Sequence, residues 1–100
     1  MARGSVNSIG VKGNYYTATL TSTWTGASAP YTQTVTVTGI LSSMNATISP
    51  IFSTTNATAV LEQTAWNNIG KIIIDNGSIT ATCFVTAPIT AINIQIKEVV

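Results

Sequence analysis

Apolar and polar side chains alternate with a period of two along most of this chain. Tyr16, Ala18, Leu20, Ser22 and Trp24 interleave with Tyr15, Thr17, Thr19, Thr21 and Thr23, a pattern that turns one set inward and leaves a threonine ladder outside. After the turn-forming run Thr25-Gly26-Ala27-Ser28-Ala29-Pro30, the rhythm resumes with Tyr31, Gln33, Val35, Val37 and Gly39 against Thr32, Thr34, Thr36 and Thr38. The two segments, 16–24 and 31–39, are expected to pair as a hairpin across a loop of about six residues, with threonines facing each other. A shorter strand is predicted over 46–51, where Pro50 points to an edge or a strand end.

Between Asn56 and Gly70 the two-residue rhythm stops. Leu61, Ala65 and Ile69 recur at four-residue steps beside Trp66, while Glu62, Gln63 and Asn67 fall where a helix would face water. A helix is therefore predicted over 56–69, with Thr55 or Asn56 as its cap and Gly70 in the left-handed conformation that ends it. Lys71 to Asp75 reads as a strand, and Asn76-Gly77 is a strong hairpin signal into a returning strand over 78–85. There Ile79, Ala81, Cys83 and Val85 share one face, and Pro88 ends the segment. The last strand sets Ile92, Ile94 and Ile96 against Asn93, Gln95 and Lys97. The fold expected is mainly β: an antiparallel β-sandwich or flattened barrel of about six strands, with the helix over one open end or face. Residues 1–13, with Gly4, Gly10 and Gly13 and little periodicity, read as a flexible lead-in or linker remnant, and 14–100 as a single β-rich domain.

Composition narrows what such a domain can do. Charged residues are 7% of the chain, against roughly 25% in an average soluble protein, so Thr, Ser and Asn must supply most of the polar surface. A net charge of +1 provides no basic stripe for a phosphate backbone, which argues against nucleic acid as a partner. No apolar run approaches the ~20 residues that would insert into a bilayer, and no apolar stretch near Met1 reads as a signal peptide. Sparse charge leaves apolar and hydroxyl-rich faces undefended, as in a subunit of a homo-oligomer.

Candidate chemistry is thin. With no His and only Cys83, metal sites built on nitrogen and sulfur have no ligands, and a serine or threonine nucleophile has no imidazole to activate it. Glu62, Asp75 and Glu98 are the only carboxylates and are far apart in sequence. The reading is of a non-enzymatic chain without cofactor or metal. Asn45-Ala46-Thr47, Asn56-Ala57-Thr58 and Asn76-Gly77-Ser78 match the glycosylation pattern, but turns and caps explain them better.

Binding, if it occurs, would rest on aromatics. A neutral sugar offers apolar C–H faces and hydroxyls, which an exposed ring flanked by amides or hydroxyls can hold. Trp66 and Tyr16 fall at core positions. Trp24 and Tyr31 flank the Gly26 to Pro30 turn, with Thr25 and Gln33 beside them, and Tyr15 lies on the outward face of its strand. The candidate ligand-binding set is Trp24, Tyr31, Tyr15, Gln33 and Thr25, although a core-edge or subunit-contact role is the weightier reading of these aromatics.

The run NYYTATLTSTWTGASAPYTQTVTVTGI over 14–40, followed by LEQTAW and the ending INIQIKEVV, resembles C-terminal modules of tail-fibre or baseplate receptor-binding proteins from phages and prophages of Gram-positive bacteria. Its most specific part is Tyr-Thr-Ala-Thr-Leu with Trp-Thr-Gly and Ala-Pro-Tyr-Thr-Gln. The resemblance implies a virion component that assembles as a trimer and attaches to a cell-wall saccharide, and the lack of a signal-peptide stretch near Met1 implies synthesis in the bacterial cytoplasm. The alternative is a purely structural module for trimerisation or particle decoration, without ligand binding. Unlike such fibres, this chain carries no shaft, heptads or Gly-X-Y repeat.

Overall fold

A computed structural model describes residues 14–99. The lead-in assigned to 1–13 and the terminal Val100 lie outside the described residues. Six strands and one helix follow in the order β1 (Tyr15–Leu20), β2 (Tyr31–Thr36), β3 (Ala46–Ile51), α1 (Asn56–Asn67), β4 (Lys71–Asp75), β5 (Ser78–Cys83) and β6 (Ile92–Glu98). They form two three-stranded antiparallel sheets, β1-β6-β3 (sheet A) and β2-β5-β4 (sheet B). This is the mainly β, sandwich-like architecture that the alternation predicts.

The inward faces meet in one core. Ile92, Ile94 and Ile96 of β6 are 0–1% exposed, as are Leu20, Ile40, Ile79 and Ala81, and each isoleucine so buried contributes roughly 1.5–3 kcal/mol. The central strands β6 and β5 carry the driest positions because each has a neighbour on both sides.

The connectivity differs from the expected hairpin. β1 pairs with β6, from Tyr15↔Lys97 to Leu20↔Ile92, and β2 pairs with β5. Segments 16–24 and 31–39 do not pair as strands: the isolated backbone bridge Thr25↔Thr32 forms just past the end of the first, and otherwise they meet through side chains, Gln33 on Thr21 and Thr23 and the Tyr16 hydroxyl on Gly39 O. β1 stops at Leu20 and β2 at Thr36, so the expected threonine pairs are replaced by Thr34 with Thr80, 3.0 Å apart, and Thr19 with Asn93 at 2.8 Å. The physical reason lies in Gln33. Its side chain enters the crossover between the sheets and supplies hydrogen bonds to the Thr21 and Thr23 backbone that a neighbouring strand would otherwise provide.

β3 fulfils the edge expectation. Val99 donates its backbone N–H to Asn45 O at 2.7 Å, so by the alternation of antiparallel pairing Thr47, Ser49 and Ile51 bond to β6 and Pro50 faces the free edge, where no N–H is needed. The Asn76-Gly77 turn forms as expected, with Gly77 at φ +81°. It is anchored by Val37 N–H on Gly77 O and by Ser42 N–H on Asn76 Oδ1.

The helix forms, with its face rotated from the one expected. Glu62 is 7% exposed and Leu61 57%, reversing the assigned roles, because the Glu62 carboxylate accepts the Ser53 N–H at 2.7 Å just ahead of the helix. Ala65 packs into the core, with Trp66 and Ile69 half-buried. Thr55 is the N-cap by backbone conformation but makes no side-chain cap hydrogen bond. The helix ends at Asn67, and Gly70 is not among the left-handed glycines. Gly70 is needed for another reason: a Cβ there would overlap the Phe84 ring that lies against it. β5 ends at Cys83, which leaves Val85 exposed rather than on the inward face.

Candidate functional site

Antiparallel alternation turns the polar residues of sheet A outward in a regular grid. Reading across β1, β6 and β3, the rows are Tyr15, Lys97, Thr47; then Thr17, Gln95, Ser49; then Thr19, Asn93, Ile51. All but Gln95 and Ser49 are exposed, and those two are half-buried. Lys97 is the single charge on the grid.

Side-chain hydrogen bonds hold the grid in place. The Tyr15 hydroxyl donates to Gln95 Oε1 at 3.0 Å, and Gln95 Nε2 donates to Ser49 Oγ at 3.0 Å, linking all three strands. Thr19 Oγ1 donates to Asn93 Oδ1 at 2.8 Å. The Tyr15 ring stands 61% exposed at one end, and a shallow depression lined by Thr17, Ala18, Thr19, Ile51 and Asn93 lies at the other. The face offers a fixed ring, oriented amides and hydroxyls, and almost no charge. It can hold a flat, neutral, hydroxyl-bearing ligand, and it contains no nucleophile paired with a base.

Tyr15 is the one member of the sequence-based set on this face. The other four lie around the crossover at the far end of β1. Trp24 is half-buried against the core, and its indole N–H is enclosed without an acceptor. Tyr31 is half-buried on the core-facing side of β2, opposite Cys83. The Gln33 amide is saturated: Oε1 accepts from Thr21 N–H and Oγ1, and Nε2 donates to Thr21 O and Thr23 O, which uses both lone pairs and both protons. Thr25 is exposed, with its backbone bridged to Thr32.

Sequence reasoning misses Gln95, Asn93, Ser49, Thr17 and Thr19. Their outward phase is readable in β1 and β6, but their adjacency depends on a pairing across most of the chain.

Two other cavities are lined by described residues. One of about 350 Å³ opens between β3 and β4, beside Trp66, Ile69 and Gly70. Another, about 280 Å³, lies between Leu61, Ala65 and the 86–90 loop. Burial raises the pKa of the Cys83 thiol above its ordinary value. Among the described residues no cluster of three or more His, Cys, Asp or Glu side chains could hold a metal ion, and no helix is long and apolar enough to cross a membrane.

No family model matches the sequence, and no curated protein or solved structure does so either.

Proposed function

We propose that this chain is a non-enzymatic attachment module of a phage or prophage tail or baseplate, and that it engages a neutral host-surface saccharide through the outer face of sheet A. The observation that carries the binding half is the three-strand network from Tyr15 through Gln95 to Ser49. It fixes an exposed ring beside amides on a face with one charge, the arrangement that sugar C–H faces and hydroxyls require. The virion half rests on the sequence resemblance over 14–40 and the chain's ending.

The test is binding of the protein to cell-wall polysaccharide from Gram-positive bacteria, with a glycan array alongside. Retention on the polysaccharide that is lost in Tyr15→Ala and Gln95→Ala, with unchanged melting temperature, supports the reading. Absence of saccharide binding by a stably assembled protein would turn the choice to a structural or decoration module. Eleven large apolar side chains among the described residues are exposed, Ile89 and Val85 most of all, and they would suit that role.

A further inference from the structure

We infer that β4 is a self-complementary edge through which two copies of this chain join, fusing their B sheets into one antiparallel sheet.

β4 is the outer strand of sheet B, and among the described residues nothing pairs with its far edge. The two-residue Asn76-Gly77 turn makes Asp75 and Ser78 a hydrogen-bonded pair. Counting back by alternation, Ile73 also bonds to β5, while the N–H and C=O groups of Ile72 and Ile74 point away from it. A free edge of this kind is a template for another strand.

The side chains say which strand fits. Lys71, Ile73 and Asp75 all stand exposed on the outer face, and Ile73 is 47% exposed. A second β4 laid antiparallel about a two-fold axis at Ile73 places Lys71 opposite Asp75 of the second copy at both ends. Ile72 then exchanges backbone hydrogen bonds with Ile74 of the second copy, using the groups that β5 leaves free. The two Ile73 side chains meet at the axis as a close, non-hydrogen-bonded pair. A lone edge lysine repels a copy of itself; opposite charges two residues either side of an isoleucine attract one.

The other three edges lack this match. The β3 edge carries Pro50, and the outward residues of β1 (Tyr15, Thr17 and Thr19) and of β2 (Thr32, Thr34 and Thr36) are uncharged. The β4 pairing also leaves the outer face of sheet A, across the core, uncovered. A dimer would present that face twice, multiplying weak attachment without new contacts.

The experiment is light scattering coupled to size exclusion over a concentration series, with charge-swap variants. The wild-type protein is expected to run as a dimer. Lys71→Asp and Asp75→Lys should each weaken the dimer about tenfold or more, and the double swap should restore it. Ile73→Cys should give a disulfide-linked dimer under mild oxidant, since a non-hydrogen-bonded antiparallel pair brings the two Cβ atoms within bridging range. A monomer at high micromolar concentration overturns the inference. So does a trimer, which would instead favour the three-fold assembly implied by the resemblance. A double swap no better than the single ones, or an Ile73→Cys dimer that does not cross-link, places the contact elsewhere and overturns it as well. Circular dichroism on each variant separates lost pairing from lost fold.

Discussion

Gln33 and Thr21 grip each other in both directions. The Gln33 Nε2 donates to the Thr21 carbonyl at 3.0 Å while its Oε1 accepts the Thr21 N–H at 2.7 Å. A single side-chain amide thus stands in for a strand where the chain leaves sheet A for sheet B. Replacing Gln33 by Leu keeps most of the volume and strands the Thr21 and Thr23 backbone groups. Each unsatisfied buried group costs about 1–3 kcal/mol, but this loop is partly wet, so the total loss should be about 2–4 kcal/mol. Urea unfolding of Gln33→Leu measures it, and a change below about 0.5 kcal/mol, the range of an ordinary surface substitution, would show that the clamp is dispensable.

The face of α1 gives a second prediction. Glu62 is enclosed and holds the Ser53 N–H, whereas Leu61 is exposed. Glu62→Ala should therefore cost about 1–3 kcal/mol through the abandoned donor, and Leu61→Ala less than about 0.5 kcal/mol. The reverse order in thermal melts would restore the helix face that the four-residue spacing suggests.

That reversal shows where the sequence is legible and where it is not. Period-two isoleucines identify the buried face of β6, and Asn76-Gly77 identifies the β4–β5 turn, because each signal is local. The β1–β6 pairing is not legible. Neutral threonine faces carry no charge to select a partner, and the partner lies at the other end of the chain. Glu62 reads as water-seeking because a carboxylate's burial depends on a donor, here a backbone N–H nine residues away, that no spacing rule reveals. The candidate site divides in the same way. Tyr15 is legible as an outward aromatic, but Gln95 and Ser49 become its neighbours only once β1, β6 and β3 lie side by side.

Gly70 and Phe84 are expected to be coupled. A methyl at Gly70 collides with the ring, yet Phe84 is 54% exposed and can swing outward, losing contact with Gly70 and its place 5.9 Å from the Lys71 ammonium. Gly70→Ala should destabilise by about 1–2 kcal/mol, within the range of overpacking. In Phe84→Ala the same change should be close to neutral. A double-mutant cycle reads the coupling directly, and additive costs would mean that Gly70 is constrained by its backbone rather than by the ring.

Cys83 offers a chemical check on the core. It is fully buried at the end of β5, and burial raises its pKa. The reactive thiolate is therefore scarce across neutral and mildly alkaline pH, and the reagent has no path to it. Thiol titration should find Cys83 unreactive in the folded protein at about pH 8, just below the ordinary thiol range, and fully reactive in urea. Prompt labelling under native conditions would show that the end of β5 opens.

The aromatic residues provide the sharpest separation between packing and binding. Tyr15 stands on the outer face of sheet A with its ring exposed and only its hydroxyl tied down. Truncating it removes a binding surface and little core, so Tyr15→Ala should shift stability by no more than about 0.5–1 kcal/mol while abolishing saccharide retention. Trp24 packs against the hydrophobic core. Trp24→Ala should therefore cost about 2–4 kcal/mol, somewhat less than a fully buried aromatic because the ring is only half enclosed. Below its melting transition, that variant should still retain polysaccharide, because the sheet A face does not depend on it. Tyr15→Phe refines the test: it keeps the ring and releases Gln95, so retention weakened but not lost would assign the ring to the sugar's C–H face and the hydroxyl to positioning the amide. If Trp24→Ala instead loses retention with its fold intact, and Tyr15→Ala binds normally, the attachment site belongs at the crossover between the sheets and not on the outer face of sheet A.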